Sequence, residues 1–443
     1  MTTFTIRTHL PLLLIFVAAL VLRLGAVFVV HAPDLVADSE SGQVAKNWVD
    51  GHGYAFDLYG TRTEQPLQSY VPPLFTALIA FCLTTFGDPN RALGIIQALL
   101  SSLIVVVMYF TAERLASSKV IGLLTALMVA LYPVFIVMSA YPLSLTMNTF
   151  VLSLFLLAVI ALQRQPTLPR AIVTGGLFGL ALLARPTFIG LLPIALFWIW
   201  LLMPNDKQAW LRLLRNGAVV AACAALVLLP WTWRNFAIHG QFVLVSLNGG
   251  LTFWNGNNAF TTGSGHEVYT ELVDQYLNVP HDLSQSAVVE LRPYPMPPAV
   301  RARLTSLSEA ELDRMLYAAG TQFIREQPSQ WLALVATKLT AFWLVRANIG
   351  GEYEAAWTRY YLLVYGALLI LFAPGLVIAL TQWRRYALLY MTLIYFTAAY
   401  VAYHVQMRFR WEIEPYLIVF AAVAVAYYAR RWPATRRIME RFV

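Results

Sequence analysis

Long uninterrupted apolar runs constrain this chain more than any other feature. Leu10 to Val30 contains a single ionisable side chain, Arg23, and comparable stretches recur as far as residue 429. Coiled as a helix at about 1.5 Å per residue, roughly twenty such residues match the ~30 Å hydrocarbon core of a bilayer. Transmembrane β-strands would instead alternate in character over segments of about ten residues. Only 12% of the side chains are charged and 59% are apolar, against about 25% charged in soluble proteins. A water-soluble arrangement of core and surface is thereby excluded, and the fold class expected is an all-α polytopic membrane protein.

Spans are expected at 10–30, 91–112, 120–138, 142–162, 213–231, 360–381, 386–403 and 411–429. The stretch 171–203 would reach about 50 Å as one helix, so it is divided at Arg185-Pro186-Thr187, where Pro186 lacks the backbone donor a continuous helix needs. Two further apolar stretches, 71–87 and 331–347, are ambiguous. Basic clusters at Arg114/Lys119, Arg164/Arg170, Lys207/Arg212/Arg215, Arg384/Arg385 and from Arg430 onward share the cytoplasmic side only if neither stretch crosses. About ten spans follow, within a range of ten to twelve, with both termini inside. The first run is kept as a span because it is too long for a signal-peptide core and lacks a small-residue cleavage site.

This topology exports residues 31–70 and 232–330, which hold 15 of the 23 acidic residues but only 8 of the 31 basic ones. The net charge of +8 therefore belongs to the cytoplasmic margin, where anionic lipid attracts it, and no nucleic-acid partner is implied. Three regions result: a transmembrane module over 1–231, which includes the loop 31–70, an external region over 232–330, and an interfacial helix with further spans over 331–443. Ser308 and Glu311 have capping-box spacing, which predicts a helix from Ser308 to Glu326 in the external region. Cys82 and Cys223 lie in apolar runs and read as small core residues.

Asp38 and Glu40 follow the first span, and two readings of Asp38 stand. Near the bilayer surface, partial desolvation would raise its pKa and make it a better proton acceptor. It would otherwise be a solvated loop acid that caps a helix beginning near Ser41. Arg62, Arg234, Lys338, Arg346, Arg408 and Arg410 are expected on the same face. A guanidinium fork suits phosphate oxygens, although snorkelling to the interface accounts for any one of them. Arg23 and Arg185, within or at the ends of spans, read as structural. Asp38, Glu40 and His404 do not specify a metal site, and the chain contains no nucleophile elbow, phosphate loop or zinc spacing.

Several segments, taken in order, resemble the GT-C class of membrane glycosyltransferases, in the branch of the protein O-mannosyltransferases and the lipid A aminoarabinose transferase. They are Ala37-Asp38-Ser39-Glu40 with Gly51-His52-Gly53-Tyr54, then Tyr70-Val71-Pro72-Pro73-Leu74, Gly175-Gly176-Leu177-Phe178-Gly179 and Leu183-Ala184-Arg185-Pro186-Thr187. Leu229-Pro230-Trp231-Thr232-Trp233-Arg234-Asn235 is the most specific, followed by Asn248-Gly249-Gly250 and Gly256-Asn257-Asn258. Phe323 to Pro328, Lys338, Phe342-Trp343 and Arg408-Phe409-Arg410 to Pro415 complete the series. Two departures, Gly42 where a Tyr is expected and Leu145 near where relatives carry Glu, predict an atypical pocket.

The resemblance implies a GT-C-like helical bundle that moves a sugar from a polyprenyl-phosphate donor to an acceptor hydroxyl on a lipid, glycan or protein. It places the site on the outer face of a bacterial-type plasma membrane. Asp38 would be the general base of an inverting displacement, and Glu40 would orient the acceptor or assist. Arg234, Arg408, Arg410, Lys338 and Arg346 would hold the donor phosphate. Trp254, Asn257, Asn258, His404 and Arg62 would line the sugar or acceptor side. The resemblance implies no certain cofactor and leaves a divalent cation possible but not indicated. Two rival activities remain at this stage, a transporter or flippase for an amphiphilic solute and a glycan ligase that uses a lipid diphosphate.

Overall fold

The computed structural model describes residues 6–30, 35, 39–57, 66–259, 261, 263, 306–344 and 355–431. Among them every regular element is helical, and the β structure is one isolated antiparallel bridge between Phe56 and Leu67. Five segments are long and apolar enough to cross a membrane: Leu10–Val29, Pro89–Ala116, Leu145–Arg164, Lys207–His239 and the hairpin Arg359–Ala402. The chain is a multi-pass membrane protein.

Helix α1 (Ile6–Val29) packs on α4 (Pro89–Ala116) and α5 (Lys119–Leu131). The span expected over 120–138 is not continuous. It breaks at Tyr132, and a five-residue helix, α6 (Pro133–Val137), follows. The physical reason is Pro133, which has no N–H to offer the Val129 carbonyl. Arg23 supplies the missing donors: its Nη2 reaches the Val129 carbonyl at 3.1 Å and its Nη1 the Ala130 carbonyl at 3.0 Å. Its Nε donates to Ser101 Oγ at 2.7 Å. A fully buried arginine thus closes a broken helix end, the structural role its sequence position suggests.

The stretch 171–203 divides where Pro186 predicts, into α8 (Leu168–Ala184), a 3₁₀ turn (Pro186–Gly190) and α9 (Leu191–Leu202). Helix α8 lies against α10 (Lys207–His239) through two glycines four residues apart. A Cβ on Gly175 would come within 2.5 Å of the Val220 carbonyl oxygen, and one on Gly179 within 2.7 Å of Val227 Cβ. This is the small-residue contact that lets membrane helices approach closely.

The basic clusters gather at one end of the bundle. Arg164, at the end of α7 (Leu145–Arg164), donates to the Arg114 carbonyl, Arg215 to that of Pro166 at 3.4 Å, and Arg385 to Ser117 Oγ at 3.4 Å. At about 50 Å, the 33 residues of α10 exceed a bilayer core, so its last turns carry Trp231 to His239 past the other end. The remaining elements before residue 344 are α2 (Glu40–Val49), α3 (Pro73–Thr85), α11 (Gly249–Asn255), α12 (Glu309–Glu326) and α13 (Pro328–Trp343), and His239 at the end of α10 faces Glu309 of α12. Ser308 and Glu311 form the capping box their spacing predicts. Helices α14 (Ala355–Ala379), α15 (Trp383–Ala402), the short α16 (Met407–Trp411) and α17 (Glu414–Arg431) complete the bundle.

Candidate active site

At the end opposite the basic clusters lie residues 35, 39–57 and 66–70 of the first loop. Helix α2 is capped by Ser39, whose Oγ accepts from the Gly42 N–H at 3.2 Å. The capping role considered for Asp38 is therefore filled by its neighbour, and the helix begins one residue before Ser41. Asp38, Arg62 and Arg346 lie outside the described residues. Leu35 is buried, donates its N–H to Asn90 Oδ1 at 2.9 Å, and shares an apolar cluster with Ala45, Phe75 and Met147. Glu40, half-buried, lies 3.5 Å from the Tyr70 hydroxyl.

Trp231 to Asn235, the most specific stretch in the sequence, forms a hub that ties the loops together. Arg234 donates from Nη1 to the Gln68 carbonyl at 2.7 Å and to Ser69 Oγ at 3.1 Å, and lies 4.6 Å from the Trp231 ring centroid. Trp231 Nε1 donates to the Val245 carbonyl at 2.7 Å, and Asn235 Nδ2 to the same carbonyl at 3.0 Å. Glu309, from α12, accepts the backbone N–H groups of Gln68 at 2.7 Å and Ser69 at 3.0 Å.

Ser69, His239 and Glu309 have the residue types of a hydrolytic triad, but their geometry is wrong for one. Ser69 Oγ at 2.9 Å and Glu309 Oε2 at 3.8 Å both face Nε2 of His239, whereas a relay uses opposite ring nitrogens. Ser69 is fully buried, and burial together with Arg234 lowers the His239 pKa below 6.5. The cluster is a polar clasp.

Four residues expected to contact donor or acceptor are buried. Lys338 is buried, and its Nζ donates to the Gly256 carbonyl at 3.0 Å, Asn257 Oδ1 at 3.2 Å and the Tyr403 carbonyl at 2.9 Å. Those three acceptors match the three protons of the ammonium, and burial pushes its pKa down to about 8. The Asn257 amide donates to the carbonyls of Phe253 and Ala402, both at 2.8 Å, and its oxygen also accepts from Trp331 at 3.1 Å. Asn258 caps its own turn by donating to the Trp254 carbonyl and accepting from the Thr261 N–H, both at 2.9 Å. Trp254 is 1% exposed.

Arg410 is engaged by the protein in the same way. Its Nε lies 3.1 Å from Glu414 Oε1, Nη1 donates to the Phe342 carbonyl and Nη2 to the Tyr361 hydroxyl, and the guanidinium stacks 3.7 Å from the Tyr365 centroid. Its side chain is 1% exposed. Arg408 is half-buried, with its guanidinium 5.9 Å from the Phe409 centroid. His404 is buried, and its Nδ1 lies 3.2 Å from the Thr252 carbonyl.

A second buried ion pair joins Arg185 to Glu412. The sequence reading assigned no role to Glu412 or Glu414. The four-residue spacing of Arg410 and Glu414 was the available signal for one pair, whereas nothing local announces the other. Among the described residues, no three His, Cys, Asp or Glu side chains group to hold a metal ion.

Residues 70–233 match the family model of dolichyl-phosphate-mannose-protein mannosyltransferases. This supports a GT-C class membrane glycosyltransferase. The match begins at Tyr70 and ends at Trp233, so it takes in the Pro-Pro-Leu segment and most of the hub. Two solved structures of ArnT from Cupriavidus metallidurans are similar to this chain. The one bound to undecaprenyl phosphate is 15% identical with a TM-score of 0.42, and the apo form is 16% identical with a TM-score of 0.39. Each alignment covers 94% of this chain and 78% of the other. A search of curated proteins finds no match.

Proposed function

We propose that this protein transfers a sugar from a polyprenyl-phosphate donor to an acceptor hydroxyl at the outer face of a bacterial-type plasma membrane. The observation that carries the reading is the mannosyltransferase-family match over 70–233, which includes Tyr70, Pro72-Pro73-Leu74 and Trp231. A lipid-linked donor accounts for a transferase embedded in the membrane, since its sugar–phosphate bond lies at headgroup depth. Asp38 acts as general base and removes the acceptor proton as the acceptor oxygen attacks the anomeric carbon in line with the departing phosphate. One displacement inverts that carbon. Glu40 assists from the first turn of α2. The cationic site for the phosphate includes Arg408, with Arg234 at its margin. The 15 acidic residues exported by the positive-inside assignment support the orientation.

The test uses purified protein in lipid with a panel of polyprenyl-phosphate sugars and hydroxyl acceptors. Lipid phosphate is released and the product sugar has inverted configuration, while Asp38→Asn lowers the rate by about 10²–10⁴-fold. Full transfer by Asp38→Asn removes the base assignment, and no release from any donor removes the transfer reading. For sidedness, a His266→Cys variant in intact cells is labelled by a membrane-impermeant thiol reagent, and protection reverses the orientation.

A further inference from the structure

The Arg185–Glu412 pair differs from the other buried pair in one respect that bears on ligand binding. Seventeen residues of α8 carry Arg185 about 25 Å from the basic end, to the depth of the opposite interface. Because Pro186 follows, Arg185 is extended, with φ −156° and ψ 112°, and its side chain leaves the helix axis. Nη1 pairs with Glu412 Oε1, and the guanidinium lies 5.2 Å from the Tyr400 centroid and 4.9 Å from that of Phe409. Glu412 is saturated: Oε1 also accepts from Asn148 Nδ2 at 3.0 Å and Oε2 from the Tyr400 hydroxyl at 2.9 Å. One edge of Arg185 is therefore fixed by three segments.

Arg185 is 18% exposed, against 1% for Arg410, and Glu412 is its one side-chain acceptor among the described residues. Two residues on, the buried Thr187 hydroxyl has no hydrogen-bond partner, and neither has Asn148 Oδ1. Arg408 approaches the same Phe409 ring, at 5.9 Å.

We propose that Arg185, with Arg408, binds the phosphate monoester of the donor lipid and that Thr187 donates to one of its oxygens. The inference rests on the donor reading given above. In the transfer, the acceptor oxygen bonds to the anomeric carbon while the bond from that carbon to the phosphate oxygen breaks. The electron pair stays on the phosphate, and the acceptor proton goes to Asp38. The exposed guanidinium fork meets the charge that accumulates on the leaving group.

Binding of a polyprenyl monophosphate to the full chain in zwitterionic nanodiscs tests this, with inorganic phosphate and phosphatidylglycerol as competitors. Arg185→Lys keeps a cation beside Glu412 but loses the fork, and a double variant, Arg185→Met with Glu412→Leu, removes both charges and keeps the site neutral. Both are expected to weaken Kd at least tenfold, and neither competitor displaces the lipid. Folded variants that bind like the wild type overturn the assignment and leave the donor reading standing. Equal competition by inorganic phosphate or phosphatidylglycerol overturns it as a donor site. No binding by the wild type overturns both.

Discussion

The Lys338 ammonium donates to the backbone carbonyl of Tyr403 at 2.9 Å, which fastens α13 to the end of α15. Because the same nitrogen holds Gly256 and Asn257, one side chain joins three segments. Its pKa is about 8 in the fold against an ordinary 10.5, so between those values the unfolded chain binds the extra proton. Stability therefore rises with pH across that window, by about 3 kcal/mol from this group. Thermal unfolding in detergent from pH 7.5 to 10.5 is expected to show the rise in wild type and to lack it in Lys338→Met. At pH 7.5 the variant loses three hydrogen bonds and gains relief from burying a charge, so the difference between the two pH profiles is the decisive quantity.

Glu309 holds the loop before Pro72 by accepting two consecutive backbone N–H groups. Glu309→Gln turns one acceptor into an amide donor facing those groups. A loss of about 1–3 kcal/mol is expected, read as a lower midpoint of thermal unfolding. Transfer activity falls with it at temperatures where the wild type is stable, because Tyr70 and Arg234 are positioned through the same segment. An unchanged midpoint would remove Glu309 from the clasp.

What could be read from sequence was what depends on near neighbours or on the membrane. Ser308 and Glu311 announce a capping box because both partners lie within one turn, and Pro186 announces a break because it lacks a donor. Arg23 was legible as structural but not its partners, since the Val129 carbonyl it satisfies is 106 positions away. For Lys338, Arg410 and Asn257, sequence gives the end of the bundle at which the residue lies, not what surrounds it. Their partners come from remote segments, such as Gly256 for Lys338 and Phe342 for Arg410.

Gly256 shows the same limit for small residues, and it supplies a sharp test. A Cβ there would lie 1.7 Å from the Tyr403 carbonyl oxygen, with no flexible side chain to yield. Gly256→Ala is expected to abolish folded expression or to cost about 3 kcal/mol or more. Gly176→Ala, where nothing lies within 4 Å, is the control and leaves the unfolding midpoint unchanged or slightly higher, because alanine is the better helix former. Equal behaviour of the two would mean that α11 and the Tyr403 turn do not meet.

Arg410 offers the clearest separation of a structural cation from a donor-binding one. Arg410→Met leaves Glu414 buried without its cation, a change that costs about 3–5 kcal/mol when such a pair is broken. Replacing both, Arg410→Met with Glu414→Leu, removes the unpaired charge and is expected to recover most of that loss. Unfolding midpoints of wild type, both single variants and the double variant give the coupling. Transfer rate in the double variant decides the role of Arg410, because repair of the pair restores packing but no cation. Recovery of activity along with stability is the expected result, and it assigns Arg410 to holding α16 and α17 in place. Recovered stability with activity still lost would return Arg410 to the phosphate.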